Sequence, residues 1–99
     1  MLSSIYVNLK KNISVKKLHN YLKKYHKKNY FIRVMPLNKN IGTENVINTN
    51  FCDISICETK QKNKIVILSA LDNLIKGASG QAVQNMNILF DYKENLGLK

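Results

Sequence analysis

The stretch Asp72-Asn73-Leu74-Ile75-Lys76-Gly77-Ala78-Ser79-Gly80-Gln81-Ala82-Val83-Gln84-Asn85-Met86-Asn87 decides how the rest of the chain is read. It follows an apolar run, residues 65–71, and passes through a polar corner into a helix-like segment. From Gly77 to Phe90 no residue is charged, in a chain where 22% of residues are. A helix facing solvent normally carries Lys or Glu on its outer side. Here Gln81, Gln84, Asn85 and Asn87 offer neutral donors and acceptors, while Ala78, Ala82, Val83, Met86, Leu89 and Phe90 offer apolar surface. The pattern predicts a helix covered on most sides. Either it is a core helix, or its polar face meets another domain, a ligand or a cofactor.

Upstream of the corner, residues 64–71 are nearly continuously apolar, which predicts a central strand with both faces covered. Residues 51–58 alternate, with Cys52, Ile54 and Ile56 on one face, and the polar turn 59–63 makes the two runs a hairpin. Residues 37–50 form a polar connection with Gly42 and five asparagines. That is long for a structureless loop and points to a functional or interface role. Residues 30–35 read as a strand stopped by Pro36, which removes a backbone donor and restricts the residue before it. Ser14 caps a helix running to about residue 28. Val15, Leu18, Leu22 and Tyr25 form its buried stripe, and lysines cover the rest, crowding the end where the helix dipole is negative. Residues 3–10 alternate as a half-buried strand, with Ile5, Val7 and Leu9 on one side. The sum is an α+β fold over residues 1–99, with a mostly antiparallel sheet and helices on one face.

A chain of 99 residues makes one domain with a modest core. The net charge of +10 invites a polyanion partner. Against this, every basic residue except Arg33 is Lys, and Asn and Ile are also abundant. These three types share A/T-rich codons, so genome composition accounts for the charge. Nucleic-acid readers also favour Arg for bidentate contacts and interleave aromatics. No apolar run approaches the roughly 20 residues that span a bilayer, and no signal peptide is visible. Cys52 and Cys57 have an odd spacing on one strand, which sends their side chains to opposite faces and argues against a mutual disulfide. The expectation is a cytoplasmic protein with neither nucleic-acid nor membrane partner.

Catalytic chemistry is hard to assemble from these residues. Gly42, Gly77, Gly80 and Gly97 form neither a dinucleotide fingerprint nor a P-loop. His19 and His26 lie seven apart without acidic or thiol partners in a ligand spacing, so no metal site is expected. The cysteines sit within a strand, far in sequence from either histidine, and read as structural.

The stretch from Asp72 to Asn87 resembles the C-terminal signature of N-acetyl-gamma-glutamyl-phosphate reductases, in the semialdehyde dehydrogenase superfamily. Three further landmarks follow in order: Leu2-Ser3-Ser4-Ile5-Tyr6-Val7, Phe31-Ile32-Arg33-Val34 and Thr49-Asn50-Phe51-Cys52-Asp53-Ile54. The resemblance implies an enzyme of arginine biosynthesis that reduces an acyl phosphate to an aldehyde with NADPH, through a cysteine thioester and a histidine acid–base. It implies an N-terminal dinucleotide-binding domain and a C-terminal domain like that of glyceraldehyde-3-phosphate dehydrogenase. The family's cysteine and histidine come ahead of the strand that begins here at Leu2. Neither role is carried onto Cys52, His19 or His26.

Carried over by the resemblance, Asn73 reaches the nicotinamide carboxamide, for which an Asn amide has both donor and acceptor. Lys76 lies beside a helix start, either as an anion neighbour of the cofactor or as a solvated lysine. The chain is thus expected to be the C-terminal substrate and dimerisation part of such a reductase. It would use NADP only in the complete enzyme, act there on a small-molecule substrate, and pair with a second copy or with an N-terminal half. A non-enzymatic oligomerisation or complementation module is the first rival. A basic nucleic-acid binder, resting on charge alone, is the second.

Overall fold

The computed structural model describes residues 1–99. In chain order the elements are β1 (Leu2–Asn8), α1 (Val15–Tyr25), β2 (Ile32–Val34), β3 (Cys52–Glu58), β4 (Lys64–Leu71) and α2 (Gly80–Leu89). A short 3-10 turn, Thr43–Asn45, lies between β2 and β3, and a π-helical turn, Ile75–Ser79, leads into α2. The four strands form one sheet in the order β1-β4-β3-β2. The apolar run before the corner is therefore internal, as its two apolar faces require.

The α+β class and the β3–β4 hairpin follow the sequence reading, with one refinement. β1 and β3 pair antiparallel with β4, but β2 pairs parallel with β3, so the sheet is mixed. Parallel neighbours need a crossover of about a dozen residues or more. The long polar connection between β2 and β3 is that crossover, and its length has a topological cause. Three of the chain's asparagines also have a conformational cause: Asn38, Asn48 and Asn63 take positive φ of 65°, 59° and 66°. Asn tolerates that left-handed region better than most residues.

Residues in register share a face of the sheet. On one face lie Ile32, Val34, Ile54, Ile56 and Ile67. Here α1 packs against β3, and a cleft between α1 and β2 is lined by Lys23, His26, Ile32 and Val34. Ser14 caps α1 by accepting the Lys17 N–H at 3.1 Å. The helix ends at Tyr25, and turn residues continue to Lys28. Tyr25 is 66% exposed rather than part of the buried stripe, and its ring packs beside Tyr21 and His26.

The crossover covers the opposite face. Ser55 Oγ donates to the Lys39 carbonyl. Arg33 forms a two-pronged pair with buried Asp53, at 2.5 and 3.0 Å, and also donates to the Asn45 carbonyl. Its guanidinium lies 4.5 Å from the Phe51 ring centre. Burying Asp53 would be costly without such a charge-assisted, bidentate partner.

The core is sparse. Eleven of 99 residues are buried, and only Phe31, Val46, Cys52, Ile56, Ile65 and Ala70 are apolar side chains among them. The radius of gyration is 14.9 Å, against about 13 Å for a compact 100-residue domain. The molecule is elongated, 44 × 25 × 17 Å, and leaves large apolar side chains in solvent.

Candidate functional site

At the end of β4 the chain turns through the polar corner. Leu71 closes the sheet by exchanging both backbone hydrogen bonds with Met1, at 2.7 and 3.0 Å. Asp72 then organises the turn. One carboxylate oxygen accepts the Asn48 N–H at 2.8 Å, and the other accepts the N–H groups of Leu74 and Ile75 at 2.9 and 3.4 Å. This carboxylate caps the helical turn and ties it to the crossover. The N–H groups of Asn48 and Leu74 hold its pKa below the ordinary carboxylate value, against the opposing effect of burial.

The Gly77 N–H reaches back to the Asp72 carbonyl at 3.2 Å, and the Ser79 N–H to that of Leu74 at 3.3 Å. These wide bonds make Ile75–Ser79 a π-helical turn, a form often found at functional sites. The helical path therefore begins ahead of Gly77, and α2 proper begins at Gly80. A Cβ at Gly80 would lie 2.8 Å from the Ile75 carbonyl oxygen and meet Asn50 Oδ1 closer still. The position admits only hydrogen, although its φ of −67° and ψ of −41° are ordinary helical angles.

Asn73 and Lys76, the two candidate cofactor residues, have different surroundings. Asn73 is exposed. Its side-chain oxygen lies over Gly77, and its amide has no hydrogen-bond partner in the chain. Lys76 is half-buried. Its Nζ donates to Gln84 Oε1 at 2.6 Å and lies 5.7 Å from the Phe31 ring centre.

Gln84 joins four segments of the fold. Its Oε1 also accepts from Asn50 Nδ2 at 2.9 Å, and its Nε2 donates to Glu94 Oε1 at 2.7 Å. Asn50 is fully buried, its N–H donates to the Lys99 carbonyl at 2.7 Å, and its Oδ1 has no partner. Asn87 Nδ2 donates to the carbonyls of Glu94 and Leu96. Gln84 and Asn87 thus hold the helix to the crossover and the tail. The sequence signal for this network was the absence of charge on the helix, together with Asn50, to which residues alone assign no role.

Only Gly80 and Asn87 of α2 are buried. Leu74, Met86, Ile88, Leu89 and Phe90 are 47–76% exposed. Within this chain the helix is therefore not covered on most sides.

The other sites weighed in the sequence are dispersed. His19 Nε2 donates to the Met35 carbonyl at 2.8 Å, and His26 Nδ1 accepts from Asn29 at 2.9 Å. Cys52 is buried beside Ser69, and both cysteines are free. No three His, Cys, Asp or Glu residues converge as a metal set. A cleft of about 590 Å³ opens at the opposite end of the sheet beside Tyr6, Asn8, Lys60 and Lys64. The corner carrying Asn73 is an exposed rim rather than a pocket.

Comparison with known proteins matches residues 1–73 to the family described as semialdehyde dehydrogenase, dimerisation domain. The chain belongs to this family. The match covers the whole sheet and ends at Asn73, so the helix beyond it rests on individual relatives. An N-acetyl-gamma-glutamyl-phosphate reductase of Vesicomyosocius okutanii is 50% identical over 99 residues. Its namesake in Thermoanaerobacter sp. (strain X514) is 46% identical over 98 residues. These alignments cover 100% and 99% of this chain but 28% of each relative. A third reductase of that name, from Campylobacter jejuni subsp. doylei, is 43% identical over 99 residues, 29% of its length. The semialdehyde dehydrogenase dimerisation domain seen here thus spans under a third of the curated relatives it matches.

Proposed function

We propose that this chain is the C-terminal substrate and dimerisation part of an N-acetyl-gamma-glutamyl-phosphate reductase. In the complete enzyme it serves the NADPH-dependent reduction of N-acetylglutamyl phosphate to the semialdehyde, in cytoplasmic arginine biosynthesis. The observation that carries this reading is identity of 43–50% sustained across the whole chain, corner and helix included, to reductases of that name.

Asn73 suits the nicotinamide because its exposed amide is unspent and offers the donor and acceptor that a carboxamide requires. Lys76 acts from behind. With its ammonium on Gln84, it holds the first helical turn and adds positive charge near the corner. As the resemblance implies, the dinucleotide domain, the nucleophilic cysteine and the acid–base histidine belong to the remaining length of the enzyme, of which this chain matches 28%. When bound, NADPH supplies hydride; this chain contributes orientation and a covered face.

The 99 residues alone are accordingly expected to show no NADPH oxidation with the acyl phosphate. Turnover at ordinary enzymatic rates by the isolated chain would overturn the proposal. The exposed apolar rim of α2 favours one variant of it, in which the chain complements a separately supplied N-terminal part or a second copy.

A further inference from the structure

Gln84 stands between a cation and an anion. Its Oε1 accepts from Lys76 Nζ at 2.6 Å and its Nε2 donates to Glu94 Oε1 at 2.7 Å, and all three residues are half-buried. An ammonium can only donate and an ionised carboxylate can only accept. The Gln84 amide therefore has one orientation, since the reverse would set its NH2 against Lys76 and its oxygen against Glu94. That orientation fixes a second amide. Asn50 turns its Nδ2 to the same Oε1, at 2.9 Å, which leaves its buried Oδ1 facing the Gly80 Cα hydrogen. A weak C–H···O contact of this kind accounts for an oxygen with no other partner.

The three partners of Gln84 lie in different segments. Lys76 belongs to the π-helical turn, Asn50 to the crossover and Glu94 to the tail beyond α2. Asn87 seats the same tail by donating to the Glu94 and Leu96 carbonyls at 3.1 and 2.9 Å. Lys76 is three residues from Asn73, whose side-chain oxygen lies over Gly77 of the same turn. With its ammonium between Gln84 and the buried Phe31 ring, Lys76 holds that turn from behind. Without Gln84 Oε1 the ammonium loses its acceptor, and its flexible, strongly hydrated stem returns it to water.

We propose that Gln84 is a positioning residue for the Asn73 corner: it passes the seating of the tail, through Glu94, to Lys76 and so to the turn that presents the Asn73 amide. The inference rests on the reading of Asn73 as the nicotinamide contact. Gln84 itself touches no cofactor and acts through Lys76. Its loss should therefore disturb the use of NADPH selectively, because the nucleophile and the acid–base that meet the acyl phosphate belong to the rest of the enzyme.

The test puts this chain in place of the matching 28% of the Thermoanaerobacter sp. (strain X514) reductase and measures kinetics with each substrate. The 99-residue chain alone is followed by NMR of the Lys76 ammonium protons. Gln84→Leu should raise the KM for NADPH about tenfold, within the roughly hundredfold that a 1 Å misplacement costs, and leave the KM for the acyl phosphate unchanged. Gln84→Glu keeps Lys76 but sets a carboxylate against Glu94, so it should raise the same KM less. Adding Glu94→Gln exchanges the polarity, rebuilds all three hydrogen bonds and should restore the KM. This pair carries the comparison if Gln84→Leu does not fold. In the chain alone, the slowly exchanging Lys76 protons should vanish with Gln84→Leu and persist in the exchanged pair. Lys76 protons that survive Gln84→Leu overturn the inference and leave the functional reading intact. An equal rise in both KM values, or no rescue by Glu94→Gln, also overturns it and marks Gln84 as structural only. Unchanged NADPH kinetics in Asn73→Ala would remove the nicotinamide reading and the positioning role with it, even where the Lys76 protons report the Gln84 contact intact.

Discussion

Helices α1 and α2 are nearly equal in length, at 11 and 10 residues, yet they are built in opposite ways. α1 carries the charge and packs on the sheet through a single apolar stripe, with its lysines in solvent. α2 carries no charge and presents Met86, Ile88 and Leu89 outward. Each start is held by one side chain, Ser14 for α1 and Asp72 for the turn before α2. The contrast teaches that a helix can be held in two ways. α1 lies on the sheet through its apolar stripe without burying any residue completely. α2 is held by polar anchors, buries Gly80 and Asn87, and leaves its apolar side chains uncovered within these 99 residues.

Breaking the anchor of α2 should have the largest effect. Gly80→Val would drive a side chain into Asn50 and the Ile75 carbonyl, and overpacking of this kind costs about 1–3 kcal/mol. Chemical denaturation should show a loss in that range, and an unchanged midpoint would mean that the Gln84–Asn50 junction does not hold the helix. On the α1 side, Ser14→Ala removes the oxygen that accepts the Lys17 N–H. A lost cap of this type costs about 1 kcal/mol, readable in the same titration.

The smallest effect is confined to acid. Hydrogen bonds from Asn48 and Leu74 lower the Asp72 pKa on folding. Such a carboxylate gives its full stabilisation above its unfolded pKa and loses it as pH falls through the lower folded value. Stability should therefore decline below the ordinary carboxylate range, and Asp72→Asn should flatten that part of the pH–stability curve. An unaltered acid limb would show that Asp72 is not the group responsible.

Much of the fold was legible because its signals are local. Alternation at residues 51–58 and continuous apolarity at 64–71 determine a hairpin with an internal second strand, and β4 has the boundaries read from sequence. The parallel β2–β3 pair was not legible, because direction depends on where a 17-residue crossover returns. Nor was the exposure of Tyr25, since helical spacing continues past the point where α1 stops meeting the sheet.

The candidate site divides in the same way. Asn73 and Lys76 were singled out through the stretch that resembles a family signature; Asn73 lies just ahead of the π-helical turn and Lys76 within it. Their different surroundings, a free amide and an ammonium bound to Gln84, depend on Asn50 and Phe31, distant in sequence.

By itself, the sequence determined the strands, the amphipathic helix, the corner and the reductase-like signature, because each rests on neighbours within a few residues. Only the tertiary structure decided the mixed sheet and the Gln84 junction. Those depend on which groups distant in sequence approach within hydrogen-bonding distance.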